Sequence, residues 1–380
     1  MLSDRVIERL TIEGQLRETG RALRATIQAD RSGATMTSYE RFICAIERRE
    51  PDRVPLYEGY IDPHVTEALC PGGDYHDLID ALDLDMVRVT EGDIKEFLDE
   101  EQRTYRDKWG ITYRLEAQAS GFPILGPLQE ESDLANYQSP DPDDPIVYRD
   151  LPEAMDRFKG RRAVIWRGLD GFHIACALRG MENFLVDCLV NPGFAHDVMR
   201  LCNDFQTRVA VGAINRGADI VVLLDDYADN NGPLMSPELF NEIVLPYLTN
   251  TVRAVKDAGG YVIKHTDGNL WPILESMIDT GIDAIHPIEP TAGMDIGEVK
   301  QRYGDRVCIM GNIDCGELLC RGTPQAVREA VRACIRAASP GGGHILSSSN
   351  SLQSGVKPEN YAAMIDEAKR YGRYPLSFEN

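Results

Sequence analysis

A histidine and an aspartate two residues apart, His265 and Asp267, are the side chains whose types and spacing best suit chemistry. They follow the apolar run Tyr261-Val-Ile, which is typical of a buried strand, and a glycine follows them. At the end of an extended strand, this i, i+2 spacing places both side chains on one side, where they can ligate one cation. Alternatively, Asp267 could cap the next helix while His265 makes an ordinary hydrogen bond. The spacing alone leaves both interpretations open.

Polar groups also follow the other predicted strands. Glu289 lies in a loop between two prolines and is the predicted third ligand of a metal site with His265 and Asp267. Asp226 is predicted to join these three as a catalytic group, and together with Asp225 it could bind metal or substrate hydroxyls, or instead cap a turn. The residues predicted to bind substrate are Glu58, Tyr60, Trp166, Asp225, His286, Asn312 and Asn350. Core packing is the alternative for the aromatic side chains in this set.

The elements that must position these groups are eight apolar strands separated by helical segments. The predicted strands span residues 53–59, 84–89, 163–170, 218–225, 262–265, 284–286, 306–311 and 344–348. This alternation favours an α/β fold of the (β/α)8 (TIM) barrel class, in which polar groups at the C-terminal strand ends form the active site. A doubly wound open sheet is the alternative.

Two elaborations of the barrel are expected. Residues 1–36 are predicted to form an N-terminal helical extension, and residues 37–380 the barrel itself. Thr37 and Glu40 have the spacing of a capping box, in which each side chain accepts from the other's backbone amide, so a helix should begin there. Tyr105–Arg114 is typical of an inserted hairpin, and the Pro/Asp-rich segment 139–145 of a surface loop. Because the extension lies outside the barrel pattern, it could dock on a second subunit and form a homodimer.

The composition of the chain indicates which kinds of binding partner and which cellular location to expect. The chain carries 61 Asp+Glu against 40 Lys+Arg, a formal net charge of −21, which disfavours nucleic acid and anionic membranes as partners. Nine cysteines at irregular spacings, often within apolar segments, are typical of reduced thiols, and the N-terminus lacks the apolar stretch of a secretory signal. The sequence therefore predicts a cytoplasmic location.

Several motifs together resemble the uroporphyrinogen decarboxylase-like superfamily from about residue 38 onward. The segments that carry the resemblance are Arg53-Val-Pro, Trp109-Gly-Ile, Gly232-Pro-Leu-Met-Ser-Pro-Glu-Leu-Phe240, His265-Thr-Asp-Gly-Asn269, Gly293-Met-Asp295, Gly311-Asn-Ile-Asp314, Gly322-Thr-Pro324 and Lys357-Pro-Glu-Asn-Tyr361. The resemblance implies a (β/α)8 barrel. It also implies one of two activities, decarboxylation of a porphyrinogen or corrinoid-dependent methyl transfer.

Uroporphyrinogen decarboxylases carry Arg-Gln-Ala-Gly-Arg-Tyr after their first strand. The corresponding stretch here is Tyr57-Glu-Gly-Tyr-Ile-Asp-Pro63, which lacks both arginines and is acidic. In the corrinoid-dependent branch, members that methylate coenzyme M bind zinc through His-x-Cys and a late cysteine. His265 matches that histidine, whereas Asp267 and Asn350 stand where the sulfur ligands would be. The departures argue against both the porphyrinogen substrate and a thiol substrate.

The expected activity is therefore methyl transfer from a small methylated substrate to the cob(I)alamin of a separate corrinoid protein. The sequence has no corrinoid-binding Asp-x-His-x-x-Gly segment, so the corrinoid must come with the partner. Hard oxygen and nitrogen ligands suit zinc or another divalent cation acting on an ether oxygen, so methoxylated aromatics are the leading substrates and methylamines the second choice. The alternative is a decarboxylase of a cyclic carboxylate.

Overall fold

The computed structural model describes residues 36–99, 101, 103–115 and 121–378. The predicted N-terminal extension lies outside the described residues except for Met36. The described residues form two compact units. The terminal unit comprises those of segments 1–87, 160–163 and 284–380, and the central unit those of segments 88–159 and 164–283.

The bounds of the regular elements are as follows. The strands are β1 (Met86–Thr90), β2 (Glu96–Asp99), β3 (Thr104–Arg106), β4 (Thr112–Leu115), β5 (Gly121–Leu125), β6 (Ala163–Gly168), β7 (Ile220–Leu223), β8 (Ala228–Asp229), β9 (Gly232–Pro233), β10 (Tyr261–His265), β11 (Ala284–His286), β12 (Cys308–Met310) and β13 (His344–Ile345). The α-helices are α1 (Ser38–Ile46), α2 (Pro63–Leu69), α3 (Tyr75–Leu82), α4 (Leu151–Phe158), α5 (Phe172–Arg179), α6 (Met181–Val190), α7 (Pro192–Asn215), α8 (Pro237–Ile243), α9 (Leu245–Asp257), α10 (Leu274–Asp279), α11 (Ile296–Tyr303), α12 (Leu318–Arg321), α13 (Pro324–Ala338) and α14 (Pro358–Tyr371).

In the central unit, β6, β7 and β10 are adjacent and parallel, and β1 lies beside β6. The register pairs Gly168 with Leu223 and Leu223 with Lys264, so the three strands end at the same level. All four residues of β7 are buried, as expected for a parallel strand covered on both faces. The residues that follow these three strands are consequently brought side by side.

In the terminal unit, β11, β12 and β13 form a second set of parallel neighbours. The first predicted strand, residues 53–59, is not a continuous strand. It makes single bridges through Arg53 to Arg373 and through Leu56 to Leu346. Pro55 has no amide hydrogen to donate, which explains why the ladder does not extend there.

The predicted hairpin is confirmed as part of a larger insertion. Strands β3 and β4 pair antiparallel, with Tyr105 opposite Tyr113, and they lie between β2 and β5 in a four-stranded sheet. The two tyrosine rings stack with centroids 5.2 Å apart, which supports this register.

Parallel strands that alternate with helices confirm the predicted α/β fold of the (β/α)8-barrel class. The predicted capping box at the start of α1 is also present, with Thr37 and Glu40 exchanging bonds of 2.8 and 3.1 Å. Among the described residues, no helix is both long and apolar enough to cross a bilayer.

Candidate metal centre

Three side chains converge at the ends of β7 and β10 in the central unit: Asp226, His265 and Asp267. The His265 Nε2 atom lies 3.7 Å from Asp226 Oδ1 and 3.6 Å from Asp267 Oδ1. The Asp226 side chain is 43% exposed, that of His265 12% and that of Asp267 25%. The imidazole is therefore largely buried, while the carboxylates are accessible to solvent. The predicted i, i+2 pair therefore faces a common point together with a carboxylate from the neighbouring strand.

The turn after β10 has the conformation that this convergence needs. Gly268 has a φ of +93°, and a Cβ at this position would lie 2.6 Å from the carbonyl oxygen of Asp229. The Asn269 amide donates to that same carbonyl at 2.8 Å. Glycine is required here because of both the positive φ and the close backbone approach.

Asp267 does not cap the helix that follows it. Helix α10 begins after Ile273, and no side chain caps it. The amide nitrogen of Asp267 instead donates to Asp226 Oδ1 at 3.0 Å, which ties the two carboxylate-bearing turns together.

His265 is held in the form that can ligate a metal. Burial, together with the positive charges of Lys264 and Arg167, lowers the pKa of His265 to about 3. The imidazole is accordingly neutral at physiological pH and keeps a lone pair for a cation.

Directly beneath the cluster lies a fully buried charge network, formed by Asp170, Asp225, Tyr227 and Lys264. The Lys264 ammonium donates to Asp170 Oδ2 at 3.0 Å and to the Asp225 carbonyl at 2.8 Å. The Tyr227 hydroxyl donates to the same Asp170 oxygen. Burial raises the pKa of Asp170 to about 7, with a further contribution from the Asp225 carboxylate.

Two predicted substrate-binding residues of the central unit are fully buried. The Asp225 carboxylate accepts the backbone amides of Asp170 and His173. Trp166 lies within β6 and packs against Tyr148, with ring centroids 5.6 Å apart. Both side chains lie in the interior of the unit, and their role in substrate binding stays a prediction.

The other predicted site residues belong to the terminal unit. Buried Glu58 accepts the Ser348 hydroxyl at 2.9 Å, and buried His286 Nε2 lies 3.1 Å from Ser347 Oγ. The remaining four are partly exposed: Tyr60, Glu289, Asn312 and Asn350. Glu289, the predicted third metal ligand, accepts the Thr291 hydroxyl at 2.7 Å and is not in the cluster described above, where Asp226 is the third group.

The cluster fits a divalent cation. Two ligands each about 2.0–2.1 Å from a tetrahedral zinc lie about 3.3 Å apart, close to the separations measured around His265 Nε2. One imidazole and two carboxylates would leave a coordination position for substrate or water, as in catalytic zinc sites. The absence of a thiolate from the cluster also suits harder cations.

The chain is similar to known proteins in sequence and in fold. The family model described as uroporphyrinogen decarboxylase (URO-D) matches residues 106–371. A uroporphyrinogen decarboxylase of Thioalkalivibrio sulfidiphilus is 29% identical over 48% of this chain and 50% of that protein. Another, from Methylibium petroleiphilum, is 26% identical over 68% of this chain and 72% of its own length. A solved methyltransferase from Methanosarcina mazei superposes with a TM-score of 0.69 at 17% identity, over 88% of this chain and 99% of that one.

These likenesses define an enzyme class, the α/β-barrel enzymes of the uroporphyrinogen decarboxylase-like superfamily. The chain belongs to the uroporphyrinogen decarboxylase (URO-D) family, as the sequence motifs predicted. The first of these curated relatives is aligned over only half its length.

Proposed function

We propose that this protein is a methyltransferase that removes a methyl group from a small methylated substrate and delivers it to the cob(I)alamin of a separate corrinoid protein. The observation that carries the proposal is the open cluster of one neutral imidazole and two carboxylates. Such a donor set suits a cation that activates an oxygen or nitrogen leaving group.

In this mechanism Asp226, His265 and Asp267 would hold a divalent cation, with zinc as the first candidate. A bound cation would act as a Lewis acid on the ether oxygen, and reduced corrinoid would supply the electron pair that accepts the methyl group. Asp226, His265 and Asp267 would keep the cation, and through it the substrate oxygen, in place during methyl transfer. The phenoxide or alkoxide left after the methyl–oxygen bond breaks would take a proton from solvent. Methyl ethers such as methoxylated aromatics remain the leading substrates.

The charges of the central unit bear on the alternative, a decarboxylase of a cyclic carboxylate. Such an enzyme needs cations to anchor its substrate, and Lys264 is unsuited to that because it is fully buried and bound to Asp170. Arg167 favours the alternative, since its positive charge reaches His265. The names of the curated relatives point the same way, so the alternative is tested directly.

The metal site is tested by metal analysis of the purified protein after loading with zinc. We expect one zinc per chain in the wild type and none in His265→Ala. His76→Ala removes an imidazole from α3 in the terminal unit and serves as the matched control, which should keep the metal. Equal zinc contents in all three proteins would contradict the assignment.

The activity is tested with a reduced corrinoid protein and a panel of aryl methyl ethers and methylamines, monitored through the corrinoid absorbance. Methyl uptake should be seen with at least one donor and be lost in Asp226→Asn. Carbon dioxide release from cyclic carboxylates is measured in parallel. Release of carbon dioxide without methyl uptake from any donor would replace the proposal with the decarboxylase alternative.

A further inference from the structure

Hydrogen bonds hold the residues on either side of Asp226, although the Asp226 side chain itself is 43% exposed. On one side, the Asp225 carbonyl accepts from Lys264 at 2.8 Å. The Asp225 carboxylate accepts the amide of Asp170, which follows β6, and the amide of His173 in the first turn of α5. On the other side, the Tyr227 amide donates to Thr266 Oγ1 at 2.9 Å. Asp226 therefore lies between two residues, Asp225 and Tyr227, whose backbone groups are hydrogen-bonded.

Lys264, which holds Asp225, and Tyr227 both also bind the fully buried carboxylate of Asp170. Lys264 and the Tyr227 hydroxyl share one oxygen of Asp170, and the ammonium also lies 3.9 Å from the centre of the Tyr227 ring. The network therefore joins the ends of three strands, namely β6 through Asp170, β7 through Asp225 and Tyr227, and β10 through Lys264.

Burying such a charged network costs desolvation free energy, which apolar side chains would not incur. Lysine and aspartate are almost never fully buried unless paired, and apolar residues of similar volume often stabilise a fold equally well or better. One oxygen of Asp170 has no hydrogen-bond partner among the described residues, so the network is not optimised for stability. Its geometry instead fixes the backbone of the turn that carries Asp226.

We propose that Lys264, Tyr227 and Thr266 are positioning residues, which hold the Asp225–Tyr227 turn so that the Asp226 carboxylate faces His265 and the Asp267 amide. The inference rests on the metal site of the proposed function for its consequence, but the positioning itself depends only on hydrogen bonds within the chain. The hydrogen bond that reports this positioning runs from the Asp267 amide to Asp226 Oδ1, at 3.0 Å.

The test uses two conservative variants, called the anchor variants, each of which removes one hydrogen bond of the network. Tyr227→Phe removes the hydroxyl that donates to Asp170, and Thr266→Val removes the acceptor of the Tyr227 amide. Thr266→Ser keeps the accepting hydroxyl and is the rescue variant. Tyr371→Phe removes a hydroxyl that accepts from Arg336 in the terminal unit and is the matched control. Thermal unfolding followed by circular dichroism shows that each variant is folded, and the full-length protein is used throughout.

The first readout is hydrogen exchange at the Asp267 amide in the metal-free protein. Loss of one hydrogen bond in the network should speed exchange by about 2- to 12-fold in Tyr227→Phe and Thr266→Val, with Thr266→Ser and Tyr371→Phe unchanged. Unchanged exchange in both anchor variants would overturn the positioning role, whether or not metal binds.

The second readout is Co²⁺ affinity, measured from the absorption spectrum of the bound ion. Loss of an outer support typically weakens metal binding about 10- to 100-fold, and we expect this in both anchor variants. Faster exchange together with Co²⁺ affinity equal to that of the wild type would overturn the link from the network to the metal. Faster exchange in a protein whose wild type binds no Co²⁺ would support positioning and reject the proposed metal function.

Discussion

Replacing Asp85 by asparagine should cost a large part of the stability of this protein, although Asp85 lies outside the candidate site. Asp85 is fully buried in the terminal unit and accepts from Arg41 at 2.6 Å and from Arg53 at 2.7 and 3.0 Å. It also accepts the Leu56 amide at 2.8 Å. The carboxylate thus ties helix α1 to the segment that replaces the first predicted strand.

The size of the effect follows from this burial. Asparagine keeps the shape but offers one accepting oxygen to two guanidinium groups, and breaking a buried pair in this way typically costs about 3–5 kcal/mol. That is a large fraction of the roughly 5–15 kcal/mol by which most proteins are folded. We therefore expect Asp85→Asn to lower the free energy of unfolding at pH 7 by about 3–5 kcal/mol.

The effect should depend on pH with a defined sign. Burial alone would raise the pKa of Asp85, but the guanidinium groups of Arg53 and Arg41 hold it well below its usual range. A depressed pKa contributes stability above the unfolded value, near 3.9, and this stability is lost as the pH falls toward the folded value, at about 1.4 kcal/mol per unit of depression. The gap between wild type and Asp85→Asn should consequently narrow below about pH 4.

Urea unfolding followed by tryptophan fluorescence at pH 7, 5, 4 and 3 measures the difference in free energy of unfolding between the wild type and Asp85→Asn. The control is Glu317→Gln, which removes an exposed partner of Arg321 and should change stability by less than about 1 kcal/mol. A loss of under about 1 kcal/mol for Asp85→Asn at pH 7 would show that the two arginines find other partners. A gap that stays constant on acidification would refute the assignment of the pKa shift.

The remaining predictions concern α1 and the turn after β10. Thr37→Ala removes one half of the capping box with Glu40 and should lower stability by about 1 kcal/mol in urea unfolding, whereas Thr37→Ser should not. Gly268→Ala forces a side chain toward the Asp229 carbonyl at a positive φ, so it should cost on the order of 1–3 kcal/mol and weaken Co²⁺ binding. Asp267→Cys should retain the metal and add a thiolate-to-cobalt charge-transfer band, and an unchanged spectrum would place Asp267 outside the coordination sphere.

Local rules predicted the parts of the fold that depend on neighbouring residues. The capping box at Thr37 and Glu40 was predictable because both groups lie within one helical turn. The prediction of residues 262–265 as a strand nearly matches β10, because apolar runs of this length are typical of buried parallel strands. Residues 53–59 were predicted as a strand from the same kind of pattern, but Pro55 limits the pairing there to single bridges.

The third member of the candidate metal cluster depended on strand order, which the sequence does not reveal. While only the chemistry of each strand end was known, Glu289 was the predicted third ligand and Asp226 was one of several polar groups that could bind metal or substrate or cap a turn. The parallel pairing of β7 with β10 places Leu223 beside Lys264, and therefore brings the turn that carries Asp226 to the turn that carries Asp267. Whether Glu289 has a role in catalysis remains a prediction.

The position of Lys264 held more information than its charge suggested. Lys264 is the penultimate residue of an apolar strand, and a lysine there is either exposed at a surface or buried with a partner. A buried ammonium needs a carboxylate within hydrogen-bond distance, and the aspartates that follow β6 and β7 were the available candidates. Asp170 is that partner, and because the same lysine also holds the Asp225 carbonyl, the residue adjacent to His265 governs the placement of Asp226 opposite it.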